Sequence, residues 1–361
     1  MIKKGWLLFL AVVLTAGFAG TSYAAGVDLS GQVVIKGEYR DNANFNDAVS
    51  DGTSHIDQRT RLTANAEVSD DVSVKITLQD TREWGNEGST ANTGTEGEGV
   101  DLKEGYLQVG NLLGSGLTLK AGRQVVAKGD QRILGGLEWS MSSRSHDGFA
   151  LVHSSDAATV TALMLKTTEL SSAAAPSDED TDHYGVYAEV TAVENNQIDG
   201  YVILRRNGDN QEQLYTIGAR VAGKVPSANV DYTVEIPIQF GDAPTQFVAG
   251  TDDSYGGWAV FAKAGYTVPG ENKIRLGVEY DTWSGDATAD ADTENYVNLG
   301  LGTDHAHYGA MDINNPGTAA HGTAGLSLWG LNAKADVTPE LSLYVAYWNA
   351  TLNEVAAGAS D

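Results

Sequence analysis

The 361-residue chain contains no cysteine, which excludes disulfide staples, thiolate metal sites and haem attachment through a CxxCH motif. It also lacks a long apolar run. The stretch from Leu7 to Leu14 falls well short of the roughly 20 residues a membrane-spanning helix needs, and no later segment does better. Any membrane crossing must therefore be made by strands. Basic residues are scarce as well, 23 Lys and Arg against 48 Asp and Glu, and the net charge of −25 argues against nucleic acid as a partner, because a phosphate backbone calls for a basic surface. Proline is rare at 7 residues, whereas glycine (42) and tyrosine (15) are plentiful, a balance that suits strands and tight turns.

What is present begins with an export signal. Lys3 and Lys4 precede the apolar run, and Ser22-Tyr23-Ala24 offers small residues where a signal peptidase reads. Residues 1–24 are predicted to be removed, so the mature chain starts at or near Ala25. Lys3 and Lys4 are the only charged residues of that segment, so its loss takes the net charge from −25 to −27.

From Val27 onward the apolar residues recur with period two, and the helical period never appears at comparable length. Fifteen strand-like runs are predicted, at 27–41, 56–68, 72–84, 100–109, 117–125, 144–154, 158–168, 182–191, 198–206, 213–223, 229–240, 255–267, 273–285, 325–337 and 341–351. Short connections such as Ser69-Asp70-Asp71 and Ser155-Asp156-Ala157 are interspersed with long acidic ones such as 42–55, 85–99, 169–181, 241–254 and 286–324. Outer-membrane barrels have that asymmetry, with short periplasmic turns and long extracellular loops. The expected fold is an all-β, transmembrane, antiparallel up-and-down β-barrel. Fifteen strands cannot close such a barrel with both ends in the periplasm, so the chain is expected to lack up to three C-terminal strands, with 16–18 when complete. Tyr39, Trp84, Tyr280, Trp283, Tyr347 and Trp348 near one end of the runs and Tyr266 near the other are predicted to form interfacial aromatic belts. Pro237, in mid-run, predicts a bulge.

In a barrel crossing lipid the apolar parity faces outward and the charged parity lines water. Parity alone is equally compatible with a soluble sheet packed on its apolar face; the signal, the loop asymmetry and the strand number favour the membrane. Sorted this way, the lumen face collects eleven basic residues, Lys36, Arg40, Arg59, Arg61, Lys75, Lys120, Arg220, Lys263, Lys273, Arg275 and Lys334. It collects eight acidic ones, Glu38, Asp57, Glu67, Asp231, Glu235, Glu279, Asp281 and Asp336. A strongly acidic chain thus carries a mildly basic bore, which favours anions. The same charges could instead only pair across neighbouring strands.

Gln79-Asp80-Thr81-Arg82-Glu83-Trp84-Gly85, Gly122-Arg123-Gln124, Gly129-Asp130-Gln131-Arg132-Ile133-Leu134-Gly135, Trp139, Arg144 to Gly148 and His305 to Asp312 occur in this order. Taken together they resemble the alginate-export family of outer-membrane barrels. The resemblance implies about eighteen strands and an arginine-rich constriction that passes a polyanionic uronate polymer. By position it carries Arg59, Arg61, Arg123, Arg132 and Arg144 to that constriction, where a planar, permanently charged guanidinium suits carboxylates. Arg123 departs from the alternation, which implies either a bulge after Gly122 or a place at the rim.

The pore-lining set is therefore Arg40, Arg59, Arg61, Lys75, Lys120, Arg123, Arg132, Arg144, Arg220 and Arg275. The partners implied are outer-membrane lipid and lipopolysaccharide outside and an anionic solute or polysaccharide inside, with no cofactor, no metal and no nucleic acid. A general small-solute porin, or a barrel serving as an adhesin or a sheath, fits the same pattern. His146 beside Ser143 and Ser145, and His305-x-His307, are the candidates for hydrolysis or metal binding, but they lack a clear carboxylate partner or oxyanion donor, so no enzyme is expected.

Overall fold

A computed structural model describes residues 26–40, 52–86, 99–169, 180–208, 211–243, 254–270, 273–286, 292–303, 307, 324–338 and 341–354, and the backbone alone for 10–24 and Arg40. It divides into two units, one comprising residues 1–126 and 136–147, the other 127–135 and 148–361. Among the described residues the regular structure is strand, apart from two single-turn 3-10 helices, Leu112–Gly114 and Pro226–Ala228.

The first unit is an antiparallel meander of β1 (Leu10–Ala24), β2 (Val27–Arg40), β3 (Thr53–Ser69), β4 (Val72–Glu83), β5 (Val100–Val109) and β6 (Leu117–Gln124), each paired with the next. The second unit holds β7 (His146–Ser154), except its first two residues, then β8 (Ala158–Thr168), β9 (Thr181–Val190), β10 (Asn196–Asn207), β11 (Glu212–Val225) and β12 (Val230–Asp242). The two-residue β13 (Ser254–Tyr255), β14 (Ala259–Thr267), β15 (Arg275–Trp283), β16 (Leu326–Thr338) and β17 (Leu341–Leu352) complete it. From β8 to β12 and from β14 to β17 sequential strands pair antiparallel, and β12 pairs with both β13 and β14. All fifteen predicted runs are strands. The additional two are β13 and β1, the latter lying inside the segment expected to be the export signal. Connections after β3, β5, β7, β9 and β11 span two to seven residues. Those after β2, β4, β6, β8, β12 and β15 are longer, and the four residues between β10 and β11 break the alternation.

In both units the apolar parity is exposed and the charged parity buried. In the first, Ile56, Leu62, Ile76, Leu78, Leu102 and Leu107 are exposed, while Asp57, Arg59, Thr77, Gln79 and Thr81 are buried. In the second, Ile217, Ile236, Ile238, Leu276 (50% exposed), Val278 and Leu331 are exposed, while Thr216, Arg220, Glu235, Gln239, Glu279 and Asp281 are buried. Leaving such rows in water forfeits about 25 cal/mol for each Å² of apolar surface, so the medium that matches them is hydrocarbon. Exposed aromatics gather at the ends nearest the long connections: Tyr39 and Trp84 in the first unit, and Phe149, Tyr184, Phe240, Trp258 and Tyr280 in the second. Tyr266 is exposed at the opposite end of its strand.

Three expectations need correction. Trp283 is not part of an aromatic belt, because it is buried with Ala259, Phe261, Tyr296, Leu326 and Leu328, and Trp348 packs against that cluster. Pro237 makes no bulge. It sits opposite Gly218 in unbroken register, and Ile238 still bridges Trp258 beyond it. No bulge follows Gly122 either, since Arg123 lies opposite Gly105 in continuous register.

Candidate functional site: cations on the polar faces

The polar faces are covered by chain without regular structure, above all residues 125–145 between β6 and β7, of which Val126, Arg132, Ile133, Leu134 and Met141 are buried. Buried irregular backbone needs partners for its polar groups, and the strand side chains supply them.

In the first unit, residues 136–145 lie on β3, β4 and β5. Arg59 donates to the carbonyls of Glu138 (3.2 Å) and Ser140 (3.0 Å) and to Gln32 Oε1 (3.3 Å). Arg61 donates to Gln79 Oε1 (2.7 Å), Glu138 Oε2 (2.7 Å) and Ser143 Oγ (2.8 Å). Gln79 donates to the Ser142 carbonyl at 2.8 Å and Lys103 to the Arg144 carbonyl at 2.7 Å. Lys36 stands 5.0 Å from the centre of the Trp139 ring, within cation–π range. These bonds hold Leu137 and Ser143 in the left-handed region, at φ 49° and 55°, which costs a side-chain-bearing residue roughly 1–2 kcal/mol.

The Glu138 carboxylate therefore has three cations about it: Arg61 at 2.7 Å, Lys103 at 3.5 Å and Arg59 at 3.8 Å. Burial alone would raise its pKa, but Arg61, Lys103 and Arg59 outweigh that and hold it below the ordinary carboxylate value. Beside it is a cavity of about 670 Å³, whose lining includes Lys103, Arg123, Arg144, Ser140, Ser142 and Ser143.

Other members of the predicted set in this unit are placed differently. Lys75 pairs with Glu104 at 2.7 Å, and Lys120 lies 4.1 Å from the Tyr106 ring centre. Arg123 is on the apolar parity with Leu107, at the end of β6, 39% exposed and paired with Asp147 at 2.8 Å. Its place is the rim alternative, and the residue still borders the cavity. Gly122 beside it has φ 123°, and a Cβ there would come within 2.4 Å of the Gly105 carbonyl oxygen, so glycine is required. Arg40's side chain lies outside the described residues.

Two members of the first-unit cluster were missed by sequence parity. Lys103 escapes alternation because the β4–β5 register shifts between Thr77 and Leu78, which pair with Glu104 and Leu102. The bulged Lys103 is buried, as its neighbour Glu104 is. Glu138 left one signal: it is the only acidic residue between Asp130 and Asp147, in a stretch with two arginines.

In the second unit, residues 127–135 meet a different surface. Arg132 donates to Asp281 Oδ2 at 3.1 Å and to Glu279, its guanidinium 4.6 Å from the Phe261 ring centre. Its side chain is 2% exposed and that of Asp281 0%. Asp130 accepts from Lys263 at 3.0 Å and faces Arg132 and Arg220 at 3.8 Å. Burial opposes its ionisation, but Arg132 and Lys263 hold its carboxyl far below the ordinary value. Arg220 donates to Asp199 at 2.8 Å, and Arg275 forks onto Asp231 at 2.6 and 2.8 Å. Residues 131–135 also run against 301–303, through Thr303 N to the Gln131 carbonyl and Gly135 N to the Leu301 carbonyl, both at 2.7 Å. A Cβ on Gly302 would lie 1.9 Å from the Arg132 carbonyl oxygen. His307 donates from Nε2 to the Asp130 carbonyl at 2.9 Å, and burial, with Arg132 nearby, pushes its pKa down to about 3.

For the enzymatic alternative, the Ser143 and Ser145 hydroxyls donate to the carbonyls of Ser142 and Lys103, at 2.6 Å each. His305 lies outside the described residues, and among the described residues no group of three or more metal-ligating side chains gathers.

The fold is that of outer-membrane channels. Acinetobacter baumannii OccAB1 is similar with a TM-score of 0.58 at 15% identity, over 89% of this chain and 80% of that one. Pseudomonas aeruginosa OccK11 (OpdR) gives 0.56 at 12%, over 93% and 81%. The outer membrane channel DcaP of Acinetobacter baumannii gives 0.51 at 14%, over 92% and 93%. No curated protein matches the sequence. Within that class the chain belongs to the alginate export family, whose sequence profile matches residues 26–349. It is an outer-membrane β-barrel channel, set in lipid and passing solute.

Proposed function

We propose that this channel favours anionic solutes, uronate polymers such as alginate among them, and passes them by diffusion without cofactor or chemistry. The observation that carries this reading is the first unit's cluster of Arg59, Arg61 and Lys103 around a single carboxylate, beside a cavity bordered by three cations and one further acid, Asp101. A low-dielectric wall with an excess of fixed positive charge raises the local concentration of anions. Guanidinium groups meet carboxylates through two parallel hydrogen bonds, which suits a solute bearing one carboxylate per sugar. Arg59, Arg61 and Arg144 are the arginines of that wall, with Arg123 at its rim. Lys75, Lys120 and Arg40 are proposed to contribute field rather than contact. Residues 1–24 are proposed to be the export signal. The family match beginning at residue 26 supports that, and β2 then loses the neighbour it has in β1.

Planar-bilayer recording under a salt gradient tests the selectivity. The wild type should prefer anions, and Arg59→Glu with Arg61→Glu should reverse the sign of the reversal potential. A wild-type pore that prefers cations, or a double variant with unchanged potential, defeats the proposal.

A general small-solute porin is the second reading. It is favoured by the second unit, where Arg132, Arg220 and Arg275 are each neutralised by carboxylates.

A further inference from the structure

We infer that Glu138 is a tethered counter-ion, a carboxylate of the chain itself that occupies the cation cluster until the carboxylate of a permeating solute displaces it. The inference rests on the anion-channel reading and adds a residue that sets how tightly the solute is held.

The geometry is that of an occupied carboxylate site. Glu138 Oε2 takes the Arg61 guanidinium at 2.7 Å with Arg59 at 3.8 Å behind it, and Oε1 faces Lys103 at 3.5 Å. The three cations are nearly sealed, with side chains 6%, 14% and 4% exposed, while the Glu138 side chain is 46% exposed. The carboxylate is thus the outermost member of the cluster, and a solute anion reaching Arg61 must take its place. The cavity alongside, bordered by Lys103, Arg144 and the Ser142 and Ser143 hydroxyl-bearing stretch, gives that anion room to approach.

Glu138 is also not what holds its own segment down. The backbone of 136–145 is fixed by Arg59 on the Glu138 and Ser140 carbonyls, Gln79 on Ser142, Lys103 on Arg144 and Arg61 on the Ser143 hydroxyl. Its side chain can therefore swing away while the main chain stays. An exchange of one carboxylate for another keeps every cation partnered, so it avoids the large cost of stripping buried charge. Conduction also demands it, because a site that bound solute with the full strength of three unopposed cations would hold it too long.

The experiment uses the full-length channel in planar bilayers, with current blockade by a galacturonate trimer and by neutral maltotriose. Glu138→Gln should lower the trimer's blocking constant about ten-fold, in line with freeing one charge-assisted hydrogen-bonding site, and lengthen each blockade. Maltotriose block should not change, and Glu138→Asp should behave as the wild type. A wild-type channel that prefers anions, with Glu138→Gln leaving trimer block unaltered or weakening it, overturns this inference alone. A wild type without anion preference removes the reading on which it rests. Equal tightening for maltotriose marks a change of pore width, which also overturns the counter-ion role.

Discussion

The same residue type, buried on the polar side of the sheet, serves two purposes in this molecule. In the second unit, Arg132 is closed in by Glu279 and Asp281, with an aromatic ring over it, and its side chain is 2% exposed. In the first, Arg59 and Arg61 share one half-exposed carboxylate with Lys103. The ratio of cations to buried acids decides which role an arginine takes. With two acids per guanidinium the group is a strut, because no field remains for a solute. Where three cations share one half-exposed acid, as at Glu138, the excess is available to one, whereas two of the three cations about Asp130 are also held by Glu279, Asp281 and Asp199.

The strut reading makes the largest demand. Arg132→Ala leaves Glu279 and the fully buried Asp281 facing each other without their cation, and breaking a buried pair this way costs about 3–5 kcal/mol. The midpoint of urea unfolding from lipid vesicles should fall accordingly. Arg61→Ala is the counterpart in the first unit: Glu138 is half in solvent and keeps Lys103 and Arg59, so the loss should be smaller, about 1.5–3 kcal/mol for the hydrogen bonds to Gln79 and Ser143, while anion preference in bilayers declines. Similar unfolding midpoints for the two variants would erase the distinction between strut and wall.

A smaller effect than the Arg132 loss is expected where 131–135 crosses 301–303. Gly302→Ala places a methyl group 1.9 Å from the Arg132 carbonyl oxygen, against backbone that cannot rotate away. Overpacking of this kind costs about 1–3 kcal/mol. Gly300→Ala, where φ is 75° but no atom stands within 4 Å, separates steric crowding from backbone strain. Hydrogen exchange at Gly135 and Thr303, whose amides close this crossing, should quicken more in Gly302→Ala than in Gly300→Ala.

The strands and their two faces were legible because both follow from a period of two that lipid on one side and charge on the other impose over the length of a run. Ile274, Leu276 and Val278 against Arg275 and Glu279 show this within six residues, and the structure places them as that pattern requires. Lys103 was illegible because a single bulged residue reverses parity without altering composition, whereas Arg123 was legible as a departure from the alternation, and only the continuous β5–β6 register decides between a bulge and the rim. The segment 125–145 has no period to read. Its fold is set by side chains some 40 to 180 residues away in sequence, as in Lys103 to Arg144, Arg61 to Glu138 and His307 to Asp130. The arginines carried over by family resemblance marked this segment as important, but not that one of them is sealed or that the main-chain carbonyl of another is held by Lys103.

The smallest difference between the units should show in mild acid. His307 donates to the Asp130 carbonyl in the second unit, and its folded pKa of about 3 lies below the ordinary value of about 6.5. Between those values the unfolded chain binds a proton at this imidazole that the folded chain refuses, so lowering the pH through that window destabilises the fold. Asp130 and Glu138 are held below the ordinary carboxylate value, so their contribution is complete at neutral pH and declines only as the pH drops beneath about 4. The contact of 127–135 with His307 should therefore weaken from about pH 6 downward, while 136–145, fixed through its main-chain carbonyls by Arg59, Gln79 and Lys103, stays in place until stronger acid. Hydrogen exchange at Gly135 against Arg144, hydrogen-bonded amides of the two segments, reads this directly between pH 7 and 4. His307→Gln, which keeps a donor and cannot titrate, should abolish the pH dependence at Gly135 and leave Arg144 unchanged. Equal acid sensitivity at both amides would place the titrating group elsewhere.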